Sequence, residues 1–214
     1  AAQNAPMTIK RLVTPLTEQA VRNLSASDEV TVSGRIFTCR AQFLKRALEQ
    51  GLLPPIDFSQ TNAMFHMGGI MRRTGDEWLP VSLLATSSYR FDKLTPEIIR
   101  KLGLRAIIGK GTMGDETMRA MAEFGCVHMS WGAVMGNTLA SQVRRVVAVY
   151  DLEALGPTEA TWVLEVENFG PFVIDIDTHG RNLFREVGQR VASRLEVIYH
   201  EYGIDDFSYT SADE

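Results

Sequence analysis

Leu104-Arg105-Ala106-Ile107-Ile108-Gly109-Lys110-Gly111-Thr112-Met113-Gly114-Asp115 is the stretch that decides the fold. Leu104 to Ile108 has the composition of a buried strand, and the glycines that follow make a turn. Asp115 then opens a helix whose Met118, Met121 and Ala122 are spaced to face a core. The same order returns further on. Gly125 to Met129 is a second strand, Ser130-Trp131-Gly132 a second turn, and Ala133 to Val143 a second helix. Two successive strand, turn and helix units require parallel strands joined by right-handed crossovers, so an α/β fold is expected.

Upstream of this stretch, Val81 to Leu84 is a short apolar strand that breaks into Ala85-Thr86-Ser87-Ser88-Tyr89-Arg90, three hydroxyls and a guanidinium on a loop. Thr95 with Pro96 reads as an N-cap followed by a first-turn proline, and Ile98, Ile99 and Leu102 give the ensuing helix one apolar face before Gly103. Glu29 to Phe37 alternates like a half-buried strand. Thr38 is the expected cap of the next helix, which carries Phe43, Leu44, Ala47 and Leu48 and ends at Gly51. Arg40 then sits in a first turn, where a cation opposes the helix dipole and calls for either solvent or an anionic partner. Asn62 to Met67 is a strand entering Gly68-Gly69, and Met71 to Glu77 is expected to be a mobile loop.

Downstream, Arg145 to Leu152 is a strand, and Thr161–Val166 and Pro171–Ile176 bracket a turn as a β pair. Leu183 to Tyr202 is a long helix with Val187, Val191, Leu195 and Ile198 in register. Residues 1–28 are read as an N-terminal arm, with the first six excluded from the fold, residues 29–203 as the domain, and 204–214 as an acidic tail. At 214 residues, one domain with a substantial core is expected.

A net charge of −4 argues against a general polyanion binder, so any basic groups must act as a local cluster, and no nucleic-acid partner is expected. No apolar run approaches a membrane span, and a cytoplasmic protein is expected. The chain has two cysteines, Cys39 and Cys126, too few for a four-cysteine cluster or zinc site. Its four histidines show no ligand spacing, so no metal site is expected in this chain.

The turn after Ile108 has the makings of an anion seat. Gly109 and Gly111 let backbone N–H groups approach, the helix start is partly positive, and Lys110 adds a full charge. It is not a nucleotide P-loop, because Gly111 stands where that motif needs Ser or Thr. Each piece has a plainer reading: glycine at such a turn is usually geometry, and hydroxyls in loops usually bond to their own backbone.

Taken together in order and spacing, the pieces resemble a known family. The marks are Ser33-Gly34, Thr38-Cys39-Arg40 with Lys45-Arg46, Thr86-Ser87 with Arg90 and Asp92, and Ile108-Gly109-Lys110-Gly111. They close with Trp162, Val166-Glu167, Phe169, Pro171, Val173, Asp175, Gly180 and Asn182. From Val30 to Phe184 the chain resembles the β subunit, equivalently the C-terminal domain, of iron–sulfur hydro-lyases such as class I fumarases and L-tartrate dehydratases.

The resemblance implies a swivelling β/β/α domain. It also implies a [4Fe–4S] cluster held by a partner α subunit, a small dicarboxylate-like substrate, and assembly into a higher-order hetero-oligomer. Carried over residue by residue, Thr86 is the base that takes a proton from carbon, while Arg40, Arg90 and Lys110 hold carboxylates with Gly109 and Gly111 beside them. The chain departs from the family pattern at Leu84-Ala85, at Ser87, at Ala41 to Leu44 and at Thr112, which changes the neighbours of those residues and not the residues themselves. The competing reading is a swivelling domain without catalysis, serving as an anion-binding or assembly module; a phosphate-binding enzyme built on the Gly109 turn alone is weaker.

Overall fold

The computed structural model describes residues 8–132 and 134–204. Its strands are β1 Lys10–Val13, β2 Glu29–Cys39, β3 Ala63–Thr74, β4 Glu77–Ala85, β5 Ala106–Gly109, β6 Val127–Trp131, β7 Val143–Tyr150 and β8 Thr161–Ile176. The helices are α1 Glu18–Arg22, α2 Ala41–Glu49, α3 Thr95–Leu102, α4 Asp115–Phe124, α5 Gly136–Ser141, α6 Leu152–Glu159 and α7 Leu183–Tyr202, with a 3-10 turn over Ser88–Leu94.

The expected parallel units are present: β2, β3, β5 and β6 lie side by side in that order, all parallel. β8 runs antiparallel to both β2 and β6, so β2, β3, β5, β6 and β8 close into a ring. Alternation along each strand then sorts the apolar residues into two bodies. Ile36, Phe65, Ile108, Met129 and Leu164 fill the ring with their neighbours. Phe37, Met64, Ile107 and Val163 face outward and pack under Phe43, Leu44, Ile98, Ile99 and Met121 of helices α2, α3 and α4.

Five local expectations are corrected. The segment read as an arm pairs its Lys10–Val13 strand in parallel with β2, and Leu12, Leu16, Val21 and Leu24 are buried in the ring cluster. Scattered apolar positions around Pro15 hide this because the strand is only four residues long. Met71 to Glu77 is not a loop: it belongs to a β3–β4 hairpin whose turn is Gly75-Asp76. Two arginines and a threonine made it look solvent-bound, and an edge hairpin tolerates them. Thr161 to Ile176 is one strand, not a β pair. Its two halves bond to β2, β6 and β7 and not to each other, with register shifts absorbing the bend. Finally, the residue before α2 is Arg40 itself, because the Thr38 hydroxyl is used elsewhere, accepting from the Trp162 N–H at 2.9 Å. Similarly, Thr95 is the first residue of α3 and its hydroxyl donates to the Phe91 carbonyl. Residues 205–214 of the expected tail lie outside the described residues.

Candidate active site

The parallel strands deliver the candidate residues at their C-terminal ends: Arg40 follows β2, Gly68 lies along β3, and Lys110 follows β5. In open and closed α/β sheets this edge is where loops can converge on a ligand. Thr86 follows β4 and is tied down by its N–H, which donates to the His66 carbonyl of β3 at 2.7 Å.

Arg40 and Thr86 meet over Gly68. A Cβ on Gly68 would stand 3.0 Å from Arg40 Nη1 and 3.8 Å from Thr86 Oγ1, so the missing side chain keeps open the space that both groups border. Arg40 is mostly covered. Its Nε lies 3.5 Å from Glu159 Oε1 and has no hydrogen bond, while Glu159 Oε2 accepts from the Gln42 N–H at the start of α2. The anionic partner that a first-turn arginine calls for is therefore Glu159, and the far end of the guanidinium remains turned toward Gly68.

The loop then turns across β5. Ser87 pairs with Lys110 as an isolated parallel bridge, and the Ser88 N–H donates to the Lys110 carbonyl at 3.0 Å. Lys110 and Arg90 are exposed, and neither makes an ion pair among the described residues. Arg90 lies in the 3-10 turn, and no hydrogen bond or ion pair joins its side chain to the other candidates among the described residues.

Gly109 and the start of α4 differ from the anion seat expected of them. A Cβ on Gly109 would lie 1.8 Å from Ser88 Oγ and 3.1 Å from His128 Nε2, so this glycine makes room for the protein's own side chains. The α4 N-terminus is occupied by Asp92, whose Oδ1 accepts from the Gly114 N–H at 2.8 Å and from Thr117 Oγ1 at 2.7 Å. Gly111 has φ +76°, a backbone conformation that favours glycine, and its carbonyl accepts from Ser130 Oγ at 3.1 Å. Asn182 Nδ2 donates to Thr112 Oγ1 at 2.8 Å. The turn carrying Lys110 is thus held from three sides, by Asp92, Ser130 and Asn182.

Beneath the loop lies a network that sequence reasoning missed. Ser88 Oγ is 3.0 Å from His66 Nδ1 and 2.8 Å from His128 Nε2, and His128 Nδ1 is 2.6 Å from Asp175 Oδ1. All four residues are fully buried. Burial, and then the charge that His128 can carry, push the His66 pKa down to about 3. The available signal was polarity in the wrong place: both histidines sit inside apolar strands, and Asp175 interrupts Val173-Ile174-Asp175-Ile176.

Neither cysteine fits an iron–sulfur ligand. Cys39 and Cys126 are free and buried in the apolar layer under the helices, and burial raises both thiol pKa values far above the range in which a thiolate forms. Among the described residues, no group of three or more His, Cys, Asp or Glu could hold a metal ion.

The family described as Fumarase C-terminus matches residues 2–187. The chain belongs to this family. It is 34% identical over 192 residues to the L(+)-tartrate dehydratase subunit beta of Escherichia coli K12, covering 90% of this chain and 94% of that protein. It is also 34% identical over 186 residues to the putative L(+)-tartrate dehydratase subunit beta of Methanocaldococcus jannaschii, covering 86% and 95%. A putative class I fumarate hydratase of Geobacillus stearothermophilus is 29% identical over 196 residues, covering 91% of this chain and 37% of that protein. Family members therefore carry this domain both as a separate chain and as part of a longer one. No described helix is long and apolar enough to cross a membrane.

Proposed function

We propose that this chain is the β subunit of an iron–sulfur hydro-lyase that adds water to, or removes it from, a hydroxylated dicarboxylate of the tartrate or fumarate type. The observation that carries the reading is the meeting of the Arg40 guanidinium and the Thr86 hydroxyl over the bare face of Gly68, with Lys110 laddered to the adjoining Ser87. The similarity to tartrate dehydratase β subunits over some nine-tenths of their length supports it.

In this reading Arg40, Arg90 and Lys110 grip the two carboxylates. Arginine offers a planar two-point hold, and the charges of Arg90 and Lys110, unpaired among the described residues, are available for it. Thr86 takes the proton from the carbon next to a carboxylate. Negative charge developing there is offset by Lys110, and removal of solvent by a second subunit strengthens that effect. A threonine hydroxyl needs such cations near it to act as a base at neutral pH.

The buried thiols do not suit the cluster, so it belongs on a cytoplasmic partner α subunit, in a higher-order hetero-oligomer. The residues of this chain account for substrate binding and for the proton-transfer half of the reaction. The test is to produce the chain together with its cluster-bearing subunit and assay dehydration of L(+)-tartrate and hydration of fumarate. Lys110→Gln should lower kcat/KM about tenfold or more while the melting temperature holds. A correctly assembled complex that turns over neither these acids nor related hydroxydicarboxylates would contradict the reading.

A further inference from the structure

Helix α7 has no buried residue along its whole length from Leu183 to Tyr202. Its root is fastened to the domain: Asn182 caps it by accepting from the Arg185 N–H at 3.2 Å, Arg185 pairs with Asp115, and Arg181 pairs with Glu186. Beyond the root the helix carries an apolar stripe. Val191, Leu195, Ile198 and Tyr202 recur at intervals of four, three and four, which lines them up on one side of a helix of about 3.6 residues per turn. They are 50%, 39%, 43% and 73% exposed. Four large side chains in one such stripe are what a partner surface looks like.

The charges beside the stripe say which partner fits. At about 100° per residue, Arg190, Arg194 and Glu201 fall along the same flank, the two cations toward the N-terminal end and the anion toward the C-terminal end. None of the three makes an ion pair among the described residues. Laid antiparallel against itself with Leu195 opposite Ile198, the helix sets Val191 opposite Tyr202. Glu201 of each copy then stands level with Ala192 of the other, between its Arg190 and Arg194. In a parallel pairing this flank of one helix would face the opposite flank of the other, and the match of Glu201 with Arg190 and Arg194 would be lost. All four residues of this stripe lie beyond residue 187, where the match to the family model ends.

We propose that the Val191–Tyr202 segment of α7 pairs antiparallel with the same segment of a second copy of this chain, making a two-fold dimer. The apolar stripes form the seam and the Arg190, Arg194 and Glu201 flanks close over it. The contact does not depend on the catalytic reading, because it lies on the helix rather than on the Thr86 loop.

Sedimentation velocity of the full chain over a wide concentration range tests it, with helicity checked by circular dichroism. The native chain should show a monomer–dimer equilibrium, and Leu195→Asp should be monomeric with its helix retained. Arg194→Glu and Glu201→Arg should each weaken association by about three- to tenfold, the size of a partly exposed ion pair. The double variant should recover part of it, because reversing both charges restores the match between positions 194 and 201 while Arg190 is unchanged. A native chain that stays monomeric would overturn the proposal. So would a dimer indifferent to Leu195→Asp, or a double variant no better than either single one. If dimers form only after residues 205–214 are removed, the stripe is covered by the chain's own tail. If Leu195→Asp disrupts only binding of the cluster-bearing subunit, that subunit is the occupant, and both outcomes refute the self-pairing.

Discussion

Thr86 and Ser88 stand two residues apart in one run of hydroxyls, yet their surroundings are opposite. Thr86 is half-buried beside the space over Gly68, and no hydrogen bond from its hydroxyl is made among the described residues. Ser88 is fully buried and its hydroxyl is held between two histidines. The difference teaches that one loop divides its work. On the proposed reading the outward residue is the one that reacts, and the inward one anchors the loop so that the outward one is held in place. A free hydroxyl at the rim contributes little to folding, whereas a buried polar network is costly to leave half-satisfied.

The largest expected effect is on the outward side. Thr86→Ala in the assembled complex should lower kcat by about 10²–10⁴, the usual loss on removing a general base, while thermal stability changes by no more than about 0.5 kcal/mol. Steady-state kinetics with a parallel melting curve check both halves. A large loss of stability would mean that Thr86 belongs with the anchor.

Next comes the inward side, where the effect should reverse. Ser88→Ala leaves His66 and His128 without the hydroxyl that joins them and should cost about 1–3 kcal/mol of stability, read from denaturant unfolding. A Ser88→Ala protein as stable as the native one would break the contrast between the two hydroxyls.

A third effect is a pH slope. His66 is held neutral in the folded chain, with its pKa depressed from 6.5 to about 3 by burial and by His128. The unfolded chain binds a proton there near pH 6.5 and the folded chain does not. The stability due to this residue is therefore complete above pH 6.5 and lost as the pH falls toward about 3, at up to about 1.4 kcal/mol per pH unit. Unfolding measured across that window should be less pH-dependent in His66→Asn than in the native protein. Equal slopes would remove His66 from the buried network.

The contrast also shows what sequence can and cannot carry. Repeated strand, glycine and helix units made the parallel sheet legible, because periodicity and turn chemistry are local. The ring was not legible, since its closure depends on β8 reaching both β2 and β6, which local pattern does not encode. Thr86, Arg40 and Lys110 are candidates only through their resemblance to a family. That Gly109 makes room for Ser88 was not legible, because a glycine that opens a turn and one that clears space for a side chain look identical in one dimension. Likewise, Asp175 and His128 lie 47 residues apart and become partners only when β6 and β8 lie together.

The most direct measurement is exchange of the substrate's C–H proton with solvent, followed by NMR in the complete complex for Thr86→Ala and Ser87→Ala. This reports proton abstraction itself. The expected result is exchange slowed by about 10²–10⁴ in Thr86→Ala and little changed in Ser87→Ala, whose hydroxyl sits where the loop ladders to Lys110. Exchange that survives Thr86→Ala and disappears in Ser87→Ala would contradict the assignment of the base to Thr86.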